Sequence, residues 1–215
     1  MSEFVNARAG VKKIFSASIL EIIAVVCSFL GTLFLTLALI DENGILSLVS
    51  VLLIAASFVL LLIAFIFNLI GLKKAGKDES NIEGAFWLAI AGIVVSVLGA
   101  ILPVVISSQS TRISNIASVL SGLFEILIVI FVCTGVSNLA AQIGQEALAA
   151  KGKRTALTYA IVYALGKSAS IIVSWFTESG AQLVVSIIIL VVSIVLEILA
   201  YIWYITFLGK ARKVL

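Results

Sequence analysis

Four ionisable side chains stand inside long apolar stretches of this 215-residue chain, and they have the clearest chemical potential in the sequence. They are Glu21, Glu125, Lys167 and Glu197. A charge at the centre of a bilayer costs from about 3 to more than 10 kcal/mol, so such residues usually pair with one another or mark a binding site or pathway. One lysine cannot neutralise three glutamates. The sequence therefore predicts at least one membrane-buried acid without a counter-charge.

Helical geometry places these charges at comparable depths. With a rise of about 1.5 Å per residue, Lys167 and Glu197 each lie about 16 Å from the side of the membrane that carries the chain termini. Glu125 lies about 21 Å from that side, and Glu21 about 10 Å. Lys167 and Glu197 are thus predicted at one level on consecutive helices, with Glu125 within a turn of them.

Two interpretations of this cluster stay open. In the structural one, a Lys167–Glu197 ion pair fixes the register of two helices, and Glu125 is a neutral hydrogen-bonding partner. In the functional one, Glu125, Lys167 and Glu197 line a polar cavity that holds an ion, a proton or a small charged solute. Glu21 is then a further acid of the site, and Tyr163 supplies a hydroxyl.

Tyrosines stand on turns close to these charges, at positions 159, 163, 201 and 204. Their hydroxyl groups could contribute to a polar site. Tyrosine is also common at membrane interfaces, where its ring sits among the lipid headgroups. For Tyr201 and Tyr204 the interfacial role is the favoured prediction.

The elements that carry these residues follow from composition. Hydrophobic residues make up 62% of the chain, charged residues only 12%, and the mean hydropathy is +1.28. A soluble domain has about twice this charged fraction, and a membrane-spanning helix needs about 20 apolar residues. The sequence therefore predicts an all-α integral membrane protein with six transmembrane helices in one transmembrane domain, residues 1–215. The six stretches are Ile14–Ile40, Ile45–Leu72, Ala85–Ile106, Ile113–Ala140, Thr155–Phe176 and Ala181–Leu208.

The orientation follows from the basic residues. Of the 14 Lys and Arg residues, all but Arg112 and Lys167 flank the apolar stretches on a single side of the predicted membrane. Short cytoplasmic segments are enriched in Lys and Arg, so both termini are predicted in the cytoplasm, with the protein in the plasma or inner membrane. The basic residues are then expected to contact anionic lipids and not nucleic acid. Those on the predicted cytoplasmic side are Arg8, Lys12, Lys13, Lys73, Lys74, Lys77, Lys151, Lys153, Arg154, Lys210, Arg212 and Lys213.

Short motifs recur at intervals of about 70 residues and indicate an internal repeat. Similar segments begin at Ala17, Ala85 and Ala156, each in the first turns of an odd-numbered helix. Glu125-Ile-Leu recurs as Glu197-Ile-Leu. We predict three consecutive helix hairpins, at about 1–78, 79–150 and 151–215. The connection from Asn138 to Arg154 is predicted to extend the fourth helix, with the turn at Lys151-Gly-Lys-Arg.

Small residues mark the helix faces that pack, because they let backbones approach closely. At a period of 3.5 residues, the stripe in the third helix is entirely small, and Glu21 and Lys167 occupy matching positions in the first and fifth helices. Both charges are therefore predicted to face protein and not lipid. The stripes are Ala17, Glu21, Ala24, Ser28 and Gly31; Ala85, Ala89, Gly92, Ser96 and Gly99; and Ala156, Ala160, Tyr163, Lys167 and Ser170.

Several classes of chemistry are excluded by the residue inventory. The chain contains no histidine, which removes Ser–His and Cys–His nucleophiles and histidine metal sites. No P-loop or dinucleotide fingerprint is present, so we expect no enzyme activity, no metal and no cofactor. The leading prediction is a protein that binds or translocates a small solute or ion at a mid-membrane polar site. The alternative is a non-catalytic structural or assembly subunit of a membrane complex, which leaves a second copy or a partner subunit open as its partner.

Overall fold

The fold is all-helical and contains six helices. The computed structural model describes residues 4–41, 44–106, 110–175 and 180–215, with the side chains of residues 41, 110–112, 167–184 and 187 outside the description. Each predicted apolar stretch falls within one helix to within a residue. The helices are α1 (Val5–Asp41), α2 (Gly44–Ala75), α3 (Ser80–Val105), α4 (Ser110–Gln142), α5 (Glu146–Trp175) and α6 (Gly180–Val214).

Five of these helices, α1 to α4 and α6, are long and apolar enough to cross a membrane. Their outward faces carry large apolar side chains such as Leu39 and Val104, which are 76% and 81% exposed. Such a surface suits lipid and not water. The prediction of a helical multi-pass membrane protein is confirmed. The predicted fifth span lies in α5, where the side chains beyond residue 166 are outside the description.

The helices form a closed ring in chain order, in which each helix contacts the next and α6 returns to α1. A further contact joins α4 and α6 across the ring. Consecutive helices run antiparallel. Gly10 of α1, for example, lies against Ala75 at the end of α2, whereas Gly31 lies against Ile54 near its middle. One end of the bundle, here called the terminal end, therefore carries both chain termini, and the opposite end is called the far end.

Small residues line the α1–α2 contact along its whole length. In α2, Ser50, Ser57, Ala64 and Gly71 are all buried and follow one another at seven-residue intervals. This spacing keeps one face of a helix against a partner in left-handed packing. Gly31 of the predicted stripe in α1 lies against Ser50 and Ile54 of α2, and Ala24 of the same stripe is completely buried.

Gly71 lies at a close approach of α1 and α2, and its substitution is expected to destabilise the protein. A β-carbon at position 71 would lie 2.9 Å from the carbonyl oxygen of Gly10 and 3.0 Å from the amide nitrogen of Ile14. Because both atoms are backbone, Gly71→Ala should force the helices apart at a cost of about 1 to 3 kcal/mol. Thermal unfolding in a mild detergent measures the loss.

The matched control for Gly71→Ala is Gly44→Ala at the start of the same helix. A β-carbon at position 44 would meet no atom within 4 Å. The control should therefore melt at the wild-type temperature. Equal melting temperatures for the two variants would contradict the close approach at Gly71.

The predicted seam of α3 packs on α4. The Ser96 and Ser121 hydroxyl oxygens lie 3.1 Å apart, and a β-carbon at Gly92 would lie 3.5 Å from that of Phe124. The β-carbon of Ala117 fills the space beside Gly99. The prediction that this stripe of small residues packs against a helix is confirmed.

The predicted turn between the fourth and fifth helices is in the wrong place. Gly144, with φ of 73°, turns the chain two residues after α4 ends at Gln142, and Lys151-Gly-Lys-Arg lies inside α5. The amide of Gln145 donates to Ala140 O at 2.8 Å and that of Gly144 to Ala141 O at 3.0 Å, the paired bonds of a Schellman motif. Gly152 instead permits close packing, because a β-carbon there would lie 2.6 Å from Cζ of Phe207.

The large buried side chains concentrate at the terminal end. Phe207, Leu72, Ile82 and Leu139 belong to four helices, and all are fully buried in one cluster. Towards the far end, most large side chains of α1, α2, α4 and α6 are exposed. The bundle is thus densely packed at the terminal end. This packed region, called the base, lies on the terminal-end side of the charged residues.

Two acids in the α2–α3 turn join the helices at the terminal end. The Asp78 carboxylate accepts hydrogen bonds from the Ala7 amide at 2.7 Å and from the Asn6 side chain at 3.0 Å, which caps the first turn of α1. The Glu79 carboxylate accepts a bond of 3.1 Å from the Asn138 side chain of α4. Through these hydrogen bonds, the α2–α3 turn links the start of α1 to the end of α4.

Candidate functional site

The contact between α1 and α6 brings two polar side chains together. Glu21 lies on the face of α1 that meets α6, where it is half-buried. The hydroxyl group of Tyr201 donates a hydrogen bond to Oε2 of Glu21. Nearer the terminal end, the ring of Phe15 packs over Gly209, where the missing side chain lets the helices approach. The prediction that Glu21 faces protein is confirmed.

Above this contact lies a cavity of 540 Å³ lined by five helices. Three glutamates line it, one each from α1, α4 and α6, and three tyrosines join them from α5 and α6. Four of the five residues proposed from the sequence are therefore in one place. The polar lining residues are Glu21, Glu125, Glu197, Tyr159, Tyr163 and Tyr201.

Glu197 lies where α6 crosses α5. A β-carbon at Gly166 would collide with Oε1 of Glu197, so the absence of a side chain at position 166 makes room for this carboxylate. Lys167 is the next residue of α5, but its side chain lies outside the described residues. The Lys167–Glu197 ion pair therefore stays a prediction.

All four tyrosines of the chain form one cluster at this cavity. The ring centroids of Tyr159 and Tyr163 are 6.4 Å apart, those of Tyr159 and Tyr204 are 6.2 Å apart, and those of Tyr201 and Tyr204 are 6.1 Å apart. Tyr159 and Tyr204 are only 8% and 5% exposed. The cluster joins the cavity to the packed core at the terminal end.

The interfacial role predicted for Tyr201 and Tyr204 is wrong. Tyr204 packs against Tyr159 inside the bundle, and Tyr201 bonds to Glu21. Both side chains of α6 thus face other helices of the bundle and not its outer surface. The sequence held a usable signal, since Tyr159 and Tyr163 are four residues apart and Tyr201 and Tyr204 are three apart, which places each pair on one helix face.

The cavity has a closed base and an apolar mouth. Ala200, buried like Tyr159 and Tyr204, closes it towards the terminal end. The other lining residues include Val25 and Ile198, whose side chains are 63% and 54% exposed. A molecule in this cavity would thus meet carboxylates and aromatic rings on one side and aliphatic side chains on the other.

The three glutamates share the cavity without forming a compact ligand set. Among the residues that the structure describes, no three carboxylate or thiol side chains lie close enough together to hold one metal ion. Comparison with protein-family models, with curated proteins and with solved structures finds no match to this chain.

Proposed function

We propose that this protein binds a small organic cation at the cavity between α1, α4, α5 and α6, and that it holds or translocates this solute within the membrane. The observation that carries the proposal is the convergence of Glu21, Glu125 and Glu197, from three helices, on one cavity of 540 Å³. This volume is in the range of about 300 to 1,000 Å³ that is typical of small-molecule sites.

The charge balance favours a cation over an anion. Lys167 is the only basic residue in the predicted membrane spans near the cavity, and it can neutralise one glutamate at most. Carboxylates without a counter-charge are costly inside a membrane. A bound cation supplies the missing charge, so the cavity is expected to prefer positively charged solutes.

The tyrosine cluster favours an organic cation over a bare metal ion. Aromatic rings attract cations through their negative faces, and this attraction is strongest where water is excluded. Tyr159, Tyr163 and Tyr201 present such rings beside the glutamates. The aliphatic mouth, with Val25 and Ile198, suits an apolar substituent of the solute.

The proposal includes a membrane topology. We place α5 across the membrane as the sixth span and the terminal end in the cytoplasm, because twelve basic residues flank the spans on that side. The antiparallel contacts α1–α2, α3–α4 and α5–α6 are compatible with three hairpin repeats. Under this topology, in the plasma or inner membrane, the packed core closes the cavity towards the cytoplasm.

Two contacts favour the alternative proposal of a structural or assembly subunit. The Tyr201–Glu21 hydrogen bond joins α1 to α6, and Glu197 packs on the backbone of α5 at Gly166. In that case the glutamates would stabilise helix packing and would bind no solute. The two proposals differ in what happens to folding when the glutamates are neutralised.

Binding of two ions of equal size and opposite charge tests the proposed function. Tetraphenylphosphonium is expected to bind to the purified, detergent-solubilised protein in a saturable manner, because its charge complements the glutamates and its rings suit the apolar lining. Tetraphenylborate, with the same shape and a negative charge, is expected to bind at least tenfold more weakly. Isothermal titration calorimetry measures both. Equal affinity for the two ions would contradict a cation site.

A further inference from the structure

A basic groove lies at the terminal end between the start of α1 and the end of α6. Its volume is 780 Å³, and four of its six lining residues are cationic: Arg8, Lys12, Arg212 and Lys213. The other two, Val5 and Ala9, are small or aliphatic. The groove is separate from the cavity of the glutamates, with which it shares no lining residue.

The fold brings these four cations together from opposite ends of the chain. Positions 5, 8, 9 and 12 lie on one face of α1 because the helical repeat is about 3.6 residues. The opposite face of α1 is occupied by α2, against which Gly10 packs, and by Asp78, which bonds to Asn6 and Ala7. Among the described residues, the carboxylate of Asp78 at the start of α1 is therefore already used on the side away from the groove.

The groove concentrates positive charge. None of the lining residues that the structure describes is acidic. Within residues 4–41, 44–106, 110–175 and 180–215, no carboxylate forms a salt bridge with any of the four cations. The Arg212 guanidinium carbon lies 3.9 Å from the centre of the Phe15 ring, and this stacking orders the cation without neutralising it. A multivalent anion is the natural partner of such an arrangement.

The groove stands where the apolar spans begin, since Lys12 precedes the first span by two residues. Under the proposed topology, this is the level of the phosphate groups of the bilayer. Guanidinium and ammonium groups bind phosphate through short, charge-assisted hydrogen bonds. We infer that the groove between α1 and α6 is a binding site for a phosphate-bearing anion, supplied by the headgroup of an anionic lipid or by a soluble phosphate.

A charge-matched pair of double variants tests this site. Arg8→Gln with Lys213→Gln removes one arginine and one lysine from the groove. Lys153→Gln with Arg154→Gln removes the same charges from the exposed surface of α5, outside the groove. All four side chains are exposed, so folding should be preserved. The readout is isothermal titration of the full chain in a neutral detergent with dioctanoyl phosphatidylglycerol, glycerol phosphate or inorganic phosphate.

The groove variant is expected to bind the tightest of the three probes about thirtyfold more weakly than wild type, whereas the control stays within threefold. A preference of tenfold or more for the lipid over glycerol phosphate would assign the site to a bilayer headgroup. Equal binding of all three would assign it to soluble phosphate, and either outcome supports a phosphate site. Equal weakening in both variants, or no saturable binding of any probe, would overturn it.

Discussion

Exchanging both Glu125 and Glu197 for glutamine is expected to weaken the binding of tetraphenylphosphonium about a hundredfold. A carboxylate about 5 Å from a monovalent cation attracts it by roughly 3 kcal/mol at an effective dielectric constant of about 20. Desolvation of the carboxylates opposes part of this attraction. A remaining loss of about 3 kcal/mol for the two substitutions corresponds to the expected hundredfold change. Glutamine keeps the size of glutamate, so the shape of the cavity should persist.

The control for this double variant is Glu83→Gln with Glu146→Gln. These acids are exposed, lie outside the cavity and change the net charge of the protein equally. The control should bind tetraphenylphosphonium with wild-type affinity, and the same comparison in liposomes measures uptake. Unchanged binding in the cavity variant would refute the proposed function.

The melting temperature of the cavity variant separates the two proposals. Under the binding proposal it stays near that of wild type, because glutamine retains the hydrogen-bonding groups of the side chain and removes only a costly charge. Under the structural proposal it falls sharply, since an ion pair that fixes α5 and α6 would lose one partner. A folded variant without binding therefore favours the solute site.

The number of helices and the position of their apolar segments followed from the sequence because a membrane imposes both physically. A span must be about 20 apolar residues long and must satisfy its own backbone hydrogen bonds. Each apolar stretch therefore lies within one helix to within a residue, whereas the polar turns that extend a helix beyond it, such as the nine residues of α1 before Ile14, did not follow from this constraint. The orientation of Glu21 towards protein could be predicted from the sequence for a related reason. Small residues on the same face marked the side of α1 that packs on other helices.

The roles of individual glycines and tyrosines could not be predicted from the sequence, because they depend on which residues of neighbouring helices face them. Gly144 and Gly152 are eight residues apart in similar polar sequence. Gly144 adopts a positive φ at the turn, whereas Gly152 lies inside α5 against the ring of Phe207. Tyr204 has the position of an interfacial tyrosine along its helix. Its burial is decided by Tyr159 on a neighbouring helix, a contact between residues 45 positions apart in sequence. Such contacts require the arrangement of the helices to be known.

The base of the cavity should also be the part of the protein that most resists unfolding, and Phe207 is its largest fully buried side chain. Phe207→Ala is expected to cost about 3 to 5 kcal/mol, because the ring fills space beside Gly152 that the surrounding helices cannot close. Inside a membrane this loss comes mainly from van der Waals packing. It corresponds to a fall in melting temperature of about 6 to 20 °C for a chain of this size.

Trp203→Ala, one turn away on α6, is the matched control for Phe207→Ala. Its ring is 57% exposed on the outer face, so its removal should change the melting temperature little. Equal destabilisation by the two variants would contradict a core concentrated at the terminal end. If Phe207→Ala alone melts early, the core at the terminal end is the main source of stability, and under the proposed topology this core separates the cavity from the cytoplasm. A translocating protein would then have to open this base, at the contact of Phe207 with Gly152, to release a solute there.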